Sequence, residues 1–339
     1  FLNAPSKLKV ILERLKTLTT EGMAPMFNND FPYAQMNGRF AACDALERHP
    51  LAIVGVPWDG SVSHRTGARM APQSIRAASQ MLCDAVHPFF DISPTPFLGD
   101  AGNLKLPNAS GLEAARTAIH QQAIPLVQNH HCVFLGGDHA ITLALLRAIH
   151  QVHGPVALLH FDAHCDTWDS HFGEPSGHGT WTREAIEQGL VSPQHTVQVG
   201  LRSAAERSAR EYVQDHGGLI FHARDLWGKE GLGLTNVLQI VRERIGPRPI
   251  YLSLDIDCLD PAYAPGTGTP EPGGLSTRQV LQWIEGLGDL QWVGMDCVEV
   301  CPAYDHAELT SMAASTLVWT YLSGQAKRLH HSFDSRISQ

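Results

Sequence analysis

Short apolar runs alternate with amphipathic segments along most of the chain, from about residue 51 onward. Each apolar run is followed by polar or glycine-rich residues, which is typical of parallel strands that are buried on both faces. We predict strands at 51–56, 132–137, 156–162, 196–201, 219–223, 250–257 and 292–300. Because helical segments separate these strands, the pattern predicts a doubly wound α/β fold with a mostly parallel sheet flanked by helices.

Capping residues mark where several of the helices begin. Ser110 with Glu113, and Ser276 with Gln279, match the capping box, in which each side chain bonds to the backbone at the start of a helix. The last predicted helix, at about 309–331, is apolar in its first half and basic at its end. Basic residues in a last turn interact favourably with the helix dipole.

No linker, repeat or low-complexity tract divides residues 46–335, so we expect one domain there. Residues 1–45 are interpreted as an N-terminal arm, in which 6–20 form an amphipathic helix. The arm could pack against its own domain or contact another subunit, and the sequence favours neither.

Composition restricts the partners and the compartment. The formal net charge of −9 argues against nucleic-acid and acidic-membrane partners and is compatible with a small cationic substrate. The seven cysteines are scattered without close CxxC pairs, which is typical of reduced intracellular thiols. No apolar run approaches the roughly 20 residues of a membrane-spanning helix, and the N-terminal segment has no secretory hydrophobic region. We therefore expect a cytoplasmic protein.

Six potential metal ligands follow three of the predicted strands: His139, Asp162, His164, Asp166, Asp255 and Asp257. In the DAHCD and DID segments the ligands are two residues apart, so they turn toward the same side of an extended chain. The first ligand follows its strand through two glycines, whose lack of a side chain allows a sharp turn. Open α/β sheets bind ligands at the carboxyl ends of their strands, and we expect these six side chains to surround one pocket.

Four converging carboxylates require a compensating positive charge, because crowded buried anions would otherwise take up protons. Six ligands are too many for one tetrahedral zinc ion, whereas two divalent cations bridged by shared carboxylates suit the set. The oxygen-rich donors favour Mn²⁺ over Zn²⁺, and Ni²⁺ also fits imidazole and carboxylate ligands.

The same segments resemble the signatures of the ureohydrolase family of arginases and agmatinases. The matching stretches are GGDHAIT (136–142), FDAHCDTWD (161–169) and SLDIDCLDPAYAPGTGTPEPGGLS (253–276), and the third is long and specific. Similarity extends over 55–76 and 295–315, so it covers nearly everything after residue 50. The chain looks closer to the agmatinase branch than to arginase.

The resemblance implies an arginase/deacetylase-like fold, a binuclear site and roles for individual residues. One ion would be held by His139, Asp162, Asp166 and Asp255, and the other by Asp162, His164, Asp255 and Asp257. His178 in SGHGT would transfer protons, and Glu299 would bind the guanidinium group of the substrate. Relatives assemble as trimers or hexamers, which implies a homo-oligomer.

The sequence restricts the identity of the substrate less than it restricts the type of reaction. We expect His64, Trp168, Asp169 and Trp181 near the pocket entrance, and no lysine or arginine there can be assigned to a substrate carboxylate. Agmatine, cleaved to putrescine and urea, is the default. Guanidinobutyrate, guanidinopropionate, guanidine and a substituted guanidine or biguanide such as metformin are alternatives. A non-catalytic partner of an active paralogous subunit is a further hypothesis, which the complete ligand set disfavours.

Overall fold

A computed structural model describes residues 38–82, 86–107, 111–226 and 233–337 of the 339-residue chain. The helix predicted at 6–20 lies outside these ranges, as does Ser110 of the first predicted capping box. Within the described ranges, no helix is both long enough and apolar enough to cross a membrane.

Nine strands form one sheet in which every strand pairing is parallel. The strands are β1 (Asp44–Ala45), β2 (Leu51–Gly55), β3 (Leu98–Asn103), β4 (His131–Leu135), β5 (Val156–Phe161), β6 (Val191–Leu201), β7 (Leu219–His222), β8 (Ile250–Asp255) and β9 (Trp292–Val298). Their order across the sheet is β1-β3-β2-β4-β9-β8-β5-β6-β7. The predicted doubly wound fold is confirmed, and the sheet is entirely rather than mostly parallel.

Two strands were absent from the sequence prediction. The segment LGDAGN of β3 contains glycine, aspartate and asparagine, which are depleted in strands, so its composition masked it. Residues 40–45, which we expected in the N-terminal arm, join the folded domain. Phe40 is buried, and β1 pairs with β3 at the edge of the sheet.

Helices cover both faces of the sheet. They are α1 (Ala71–Ala78), α2 (Leu112–Asn129), α3 (Ile141–His153), α4 (Trp181–Glu187), α5 (Arg207–Arg210), α6 (Tyr212–Asp215), α7 (Leu234–Ile245), α8 (Thr277–Gly286) and α9 (Leu309–Ile337). The capping box of Ser276 and Gln279 is present at the start of α8. Helix α2 has Gly111 rather than Ser110 as its N-cap residue.

Alternation along the strands divides the core into two layers. Leu51 and Ile53 of β2 point into one apolar cluster, whereas Ala52 and Val54 point into the other. The first layer includes side chains of α7, α8 and α9, and the second includes those of α2, α3 and α4. Because both faces are covered, the strands read as continuous apolar runs in the sequence.

The strand order positions the functional residues. The four central strands, β4, β9, β8 and β5, are consecutive neighbours in the sheet. All the predicted ligands and Glu299 lie at or just beyond the carboxyl ends of these four strands. Parallel pairing brings those ends to one edge, so segments more than 100 residues apart in the chain meet there.

Candidate metal centre and active site

His139 lies at the centre of the first group of ligand atoms. Its Nδ1 atom is 3.1 Å from a carboxylate oxygen of each of Asp162, Asp166 and Asp255. This Nδ1 atom is buried and has no hydrogen-bond partner. Spacings of about 3 Å are expected between donor atoms that bind a common ion at about 2.1 Å. The geometry fits a divalent cation surrounded by these four side chains.

A second group of donor atoms shares Asp162 with the first. The Nδ1 atom of His164 is 3.3 Å from Asp162 Oδ1 and 3.0 Å from Asp257 Oδ2. The other carboxylate oxygen of Asp162 faces His139. One carboxylate thus connects the two groups, as expected for a pair of adjacent ions with a bridging ligand. All six predicted ligands are brought together.

The carboxylates are buried to an extent that requires a positive charge beside them. Asp255 and Asp166 are almost fully buried. Burial and the charges of Asp257 and Asp162 raise the pKa of Asp255 well above its ordinary value. Burial and the charge of Asp162 likewise raise the pKa of Asp166. Divalent cations would hold these groups in their ionised, metal-binding form.

A chain of hydrogen bonds fixes the orientation of His139. Its Nε2 atom is 2.8 Å from the hydroxyl of Ser253, and that hydroxyl donates to Asp296 at 2.7 Å. Asp296 also accepts hydrogen bonds from Thr142 and Tyr251. Such partners hold a histidine ligand in the correct ring orientation. The sequence analysis missed this chain, although Ser253 lies two residues before Asp255 and therefore faces the same way.

His160 is a further residue that the sequence analysis missed. It is fully buried, and its Nε2 atom is 2.9 Å from Asp162 Oδ2. Its other ring nitrogen is 3.1 Å from the side-chain amide of Gln198. The signal was available, because His160 lies two residues before Asp162 on the same side of β5.

Trp181 does not lie at the pocket entrance, where we expected it. It is fully buried at the start of α4, and its ring packs against His139 and His160. Its indole Nε1–H donates to Asp166 Oδ2 at 2.7 Å. Trp181 therefore supports the ligands from the protein interior instead of contacting a substrate.

We expect the Trp181→Phe variant to bind metal about 10- to 100-fold more weakly, because loss of a hydrogen bond to a ligand typically has this effect. A titration of the metal-free protein against a competing chelator measures the affinity. Trp283→Phe is the matched control: Trp283 is buried on the other side of the sheet, against Phe161. That variant should unfold at a lower temperature with unchanged metal affinity. Equal affinities in Trp181→Phe and the wild type would contradict the prediction.

His178 and Glu299 form a hydrogen-bonded pair next to the ligands. His178 Nδ1 is 3.1 Å from Glu299 Oε1, and the same carboxylate oxygen accepts the backbone N–H of His139 at 2.8 Å. The Nε2 atom of His178 is 2.9 Å from the Ser63 hydroxyl. Burial lowers the pKa of His178, but the hydrogen bond to Glu299 and its charge raise that pKa to about 9.

Two residues of the site, Glu299 and Asp166, adopt a backbone conformation that is uncommon for residues other than glycine. Glu299 and Asp166 have φ angles of 62° and 52°. Non-glycine residues with positive φ cost free energy and cluster at functional sites. Both side chains are aimed at the ligand cluster, which gives this strain a structural reason.

A buried arginine ties the His178 loop to the His139 loop. Arg116 of α2 is fully buried and donates to the carbonyl of Ala140 at 3.1 Å and to the Ser176 hydroxyl at 2.5 Å. Ser176 in turn donates to Glu184 at 2.8 Å. The loops on either side of the site are thus held at a fixed separation.

Neither of the two glycines before His139 has a positive φ, so their backbone conformation does not require glycine. They are required because the surrounding atoms leave no room for a side chain. A Cβ atom at Gly137 would lie 1.6 Å from the carbonyl oxygen of Trp58. This contact brings the loop after β2 against the site, where Asp138 accepts hydrogen bonds from the backbone and hydroxyl of Ser61. The chain also turns here as predicted, with bends at Gly137 and Asp138 before α3 begins.

A cavity of about 320 Å³ opens above the ligands. His139, His164, Asp166 and Asp255 contribute to its surface. Its walls include Ser63, His64, Trp168, His171, Phe172, His178, Ser203 and Thr269. His64 and Trp168 therefore lie where the sequence predicted.

Two predicted site residues, Asp169 and Glu299, are not among the described residues that line this cavity. Asp169 is exposed, accepts a hydrogen bond from the backbone of Ser170 and is not among the described residues that line the cavity. Glu299 is buried, contacts the lining residue His178 and is not itself among the described residues that line the cavity.

Comparisons with known proteins agree with this architecture. The agmatinase of Chromobacterium violaceum is 42% identical to this chain, over 80% of the chain and 82% of that protein. The guanidinobutyrase of Pseudomonas aeruginosa is 38% identical, over 89% of this chain and 92% of that protein.

A third relative is similar in both sequence and structure. The proclavaminate amidinohydrolase of Streptomyces clavuligerus is 39% identical, over 84% of this chain and 90% of that protein. Its solved structure superposes with a TM-score of 0.78 at 35% identity, over 86% of this chain and 97% of that one. The model of the Arginase family matches residues 49–323, which span all four central strands and every ligand of the candidate site. The chain therefore belongs to the arginase family.

Proposed function

We propose that this chain is a binuclear metal-dependent hydrolase that cleaves a guanidino compound to urea and an amine. The observation that carries the proposal is the convergence of three carboxylates at 3.1 Å from one buried imidazole nitrogen, with Asp162 shared by a second donor group. A histidine–glutamate pair lies beside this cluster. Ligands, a proton-transfer group and a carboxylate for a guanidinium are thus within one site.

His139, Asp162, Asp166 and Asp255 of the first donor group would hold one ion. Asp162, His164 and Asp257 of the second donor group would hold the other, and the resemblance to the family adds Asp255 as a further ligand of that ion. When bound, two dications supply Lewis acidity and lower the pKa of water, so that a nucleophile is present near neutral pH. Mn²⁺ suits the oxygen-rich donor set best, and Ni²⁺ is the alternative.

Glu299 and His178 act on the substrate. A guanidinium entering the cavity would take over the hydrogen bond that His178 makes with Glu299 Oε1. Planar guanidinium groups pair well with carboxylates through two parallel hydrogen bonds. The exchange frees the His178 imidazole, which then delivers a proton to the departing amine nitrogen as the carbon–nitrogen bond breaks.

Agmatine is the default substrate, because agmatinases are among the relatives at about 40% identity. Guanidinobutyrate is supported in the same way by the guanidinobutyrase. We also propose a homo-oligomer in the cytoplasm. None of the six cysteines in the described part forms a disulfide, which supports a reducing compartment.

The proposal is tested by assaying a panel of guanidino compounds with the manganese and nickel forms of the protein. We expect about two ions per chain and release of urea and amine from at least one compound. A metal-loaded protein that releases neither product from any compound would refute the hydrolase. Protein that takes up no metal would instead favour the non-catalytic subunit.

A further inference from the structure

The wall of the cavity beside the ligands is aromatic. The rings of Trp168 and His171 stack with their centroids 4.6 Å apart and an interplanar angle of 20°. Phe172 continues this wall, with its ring centroid 4.3 Å from that of His171. We call these three residues the aromatic wall. It presents apolar surface to whatever extends from a guanidinium bound near His178.

The inner part of the aromatic wall is held in place by its surroundings. Trp168 packs against the apolar cluster of Cys165, Leu201 and Ala209, and its backbone N–H donates to the carbonyl of Gly179 at 3.2 Å. His171 lies so close to that loop that a Cβ atom at Gly179 would be 2.8 Å from its Nδ1 atom. The apolar surface is therefore formed before a ligand binds, which reduces the entropic cost of binding.

Apart from the proposed metal ligands, the described lining of the cavity contains no acidic side chain. Neither lysine nor arginine is found among its described lining residues. The carboxylates in that lining are Asp166 and Asp255, and both face His139. Burial and the charges of His178 and His164 lower the pKa of His171 below its ordinary value. The other polar side chains of the lining are His64 and the hydroxyls of Ser63, Ser203 and Thr269. The Ser203 hydroxyl donates to Glu271 Oε1 at 2.8 Å, and this carboxylate is not itself among the described lining residues.

An ammonium group would gain little from the tryptophan. Cations bind to the electron-rich face of an aromatic ring. One face of Trp168 is covered by His171, and the residue also packs against the Cys165 cluster. Transfer of an ammonium group from water to this wall would therefore leave its charge without compensation.

Three arginines line a separate cleft of about 620 Å³, which shares Ser203 and Ala204 with the cavity: Arg202, Arg210 and Arg224. Arg202 in that cleft donates to the carbonyls of Asp257 and Glu271 at 2.8 and 2.5 Å. Arg210 donates to Glu211 and to the carbonyl of Ala205. Arg224 is largely exposed and lies 3.9 Å from Asp225. None of these three guanidinium groups is among the described lining residues of the cavity.

We propose that the aromatic wall selects guanidines whose N-substituent is uncharged and apolar, over those whose chain ends in an ammonium or a carboxylate group. Trp168 is the specificity-determining residue. The inference rests on the proposed function and narrows its substrate class from guanidino compounds in general to N-alkylguanidines, which would replace agmatine as the preferred substrate.

The test compares pentylguanidine, agmatine and 4-guanidinobutyrate, whose chains have similar lengths and end in a methyl, an ammonium and a carboxylate group. We expect kcat/KM for pentylguanidine to exceed the other two by roughly tenfold or more, the range for apolar contacts in a fitted pocket. Preference for agmatine or 4-guanidinobutyrate overturns the inference and leaves the hydrolase intact. Absence of turnover with all three and with the rest of the panel refutes the proposed function instead.

Variants of Trp168 test whether this residue determines the preference for an apolar substituent. Trp168→Ala should lower kcat/KM for pentylguanidine about tenfold, mainly through KM, and change that for agmatine less than about threefold. Trp168→Phe, which keeps an aromatic ring, should retain most of the preference and guards against a misfolded alanine variant. Phe89→Ala is the control, because Phe89 is an exposed aromatic outside the cavity lining. Equal losses for all substrates in Trp168→Ala would remove Trp168 from the proposal.

Discussion

The Asp162→Asn variant is expected to lose both metal ions and to reduce turnover roughly a thousandfold or more, since the two ions together generate the nucleophile. Asp162 connects the two donor groups: one oxygen faces His139 at 3.1 Å and the other faces His164 at 3.3 Å. An amide keeps the shape of the side chain and removes the negative charge. Metal content per chain and the rate of urea release are the measurements.

The variant should remain folded without metal. Burial raises the pKa of Asp162, but its hydrogen bonds to His139, His160 and His164 hold that pKa well below its ordinary value, so its charge stabilises the metal-free protein. We therefore expect the metal-free variant to melt below the temperature of the metal-free wild type. Added metal should raise the melting temperature of the wild type alone, because only the wild type binds it.

Asp289→Asn is the matched control for this experiment. Asp289 forms an exposed ion pair with Arg242 at 2.7 Å, and such pairs contribute little to stability. Its metal content and turnover should equal those of the wild type. An Asp162→Asn protein with two bound ions and normal turnover would exclude the proposed bridging ligand.

The Glu299→Gln variant is expected to keep its metal and to lose roughly 100- to 1,000-fold in turnover, the usual effect of removing one electrostatic contact to the reacting group. Glu299 is not among the proposed ligands, so metal content should not change. Its hydrogen bond and charge raise the pKa of His178, and a neutral glutamine would let that pKa fall. The pH profile of turnover should shift accordingly toward lower pH.

Glu308→Gln is the control, since Glu308 also has a positive φ, of 58°, but is exposed. Comparison of the two variants separates the effect of the carboxylate from that of the unusual backbone. Turnover in Glu299→Gln within about threefold of the wild type would contradict a role in binding the guanidinium. Loss of metal in this variant would instead make Glu299 part of the metal site.

Much of the site was predictable because the ligand segments directly follow apolar strands, whose carboxyl ends meet at one edge of the sheet. The alternation that we predicted for Asp255 and Asp257 was wrong, because β8 ends at Asp255 and Ile256–Cys258 form a 3-10 helix. Within a strand, residues two apart do share a side. The same rule would have found His160 and Ser253. It could not have found Asp296, which lies in an apolar run on another strand and reaches His139 only through Ser253.

The pocket was predicted less well, because a loop sequence does not show which of its residues face inward. Trp168 and Trp181 both seemed suited to an entrance by composition. The start of α4 carries Trp181 beneath Asp166, whereas the turn at 168–172 leaves Trp168 beside the cavity. The difference arises from the helix start and from the packing of Arg116 between two loops, neither of which has a local signature.

By itself, the amino-acid sequence determined the secondary-structure elements of the central sheet and the chemical nature of its ligands. These depend on local periodicity and on the chemistry of neighbouring side chains. Only the tertiary structure decided that β4, β9, β8 and β5 are adjacent and that His178 contacts Glu299, 121 residues away. Contacts of this kind depend on how distant segments share a buried edge, and no short stretch of sequence encodes that arrangement.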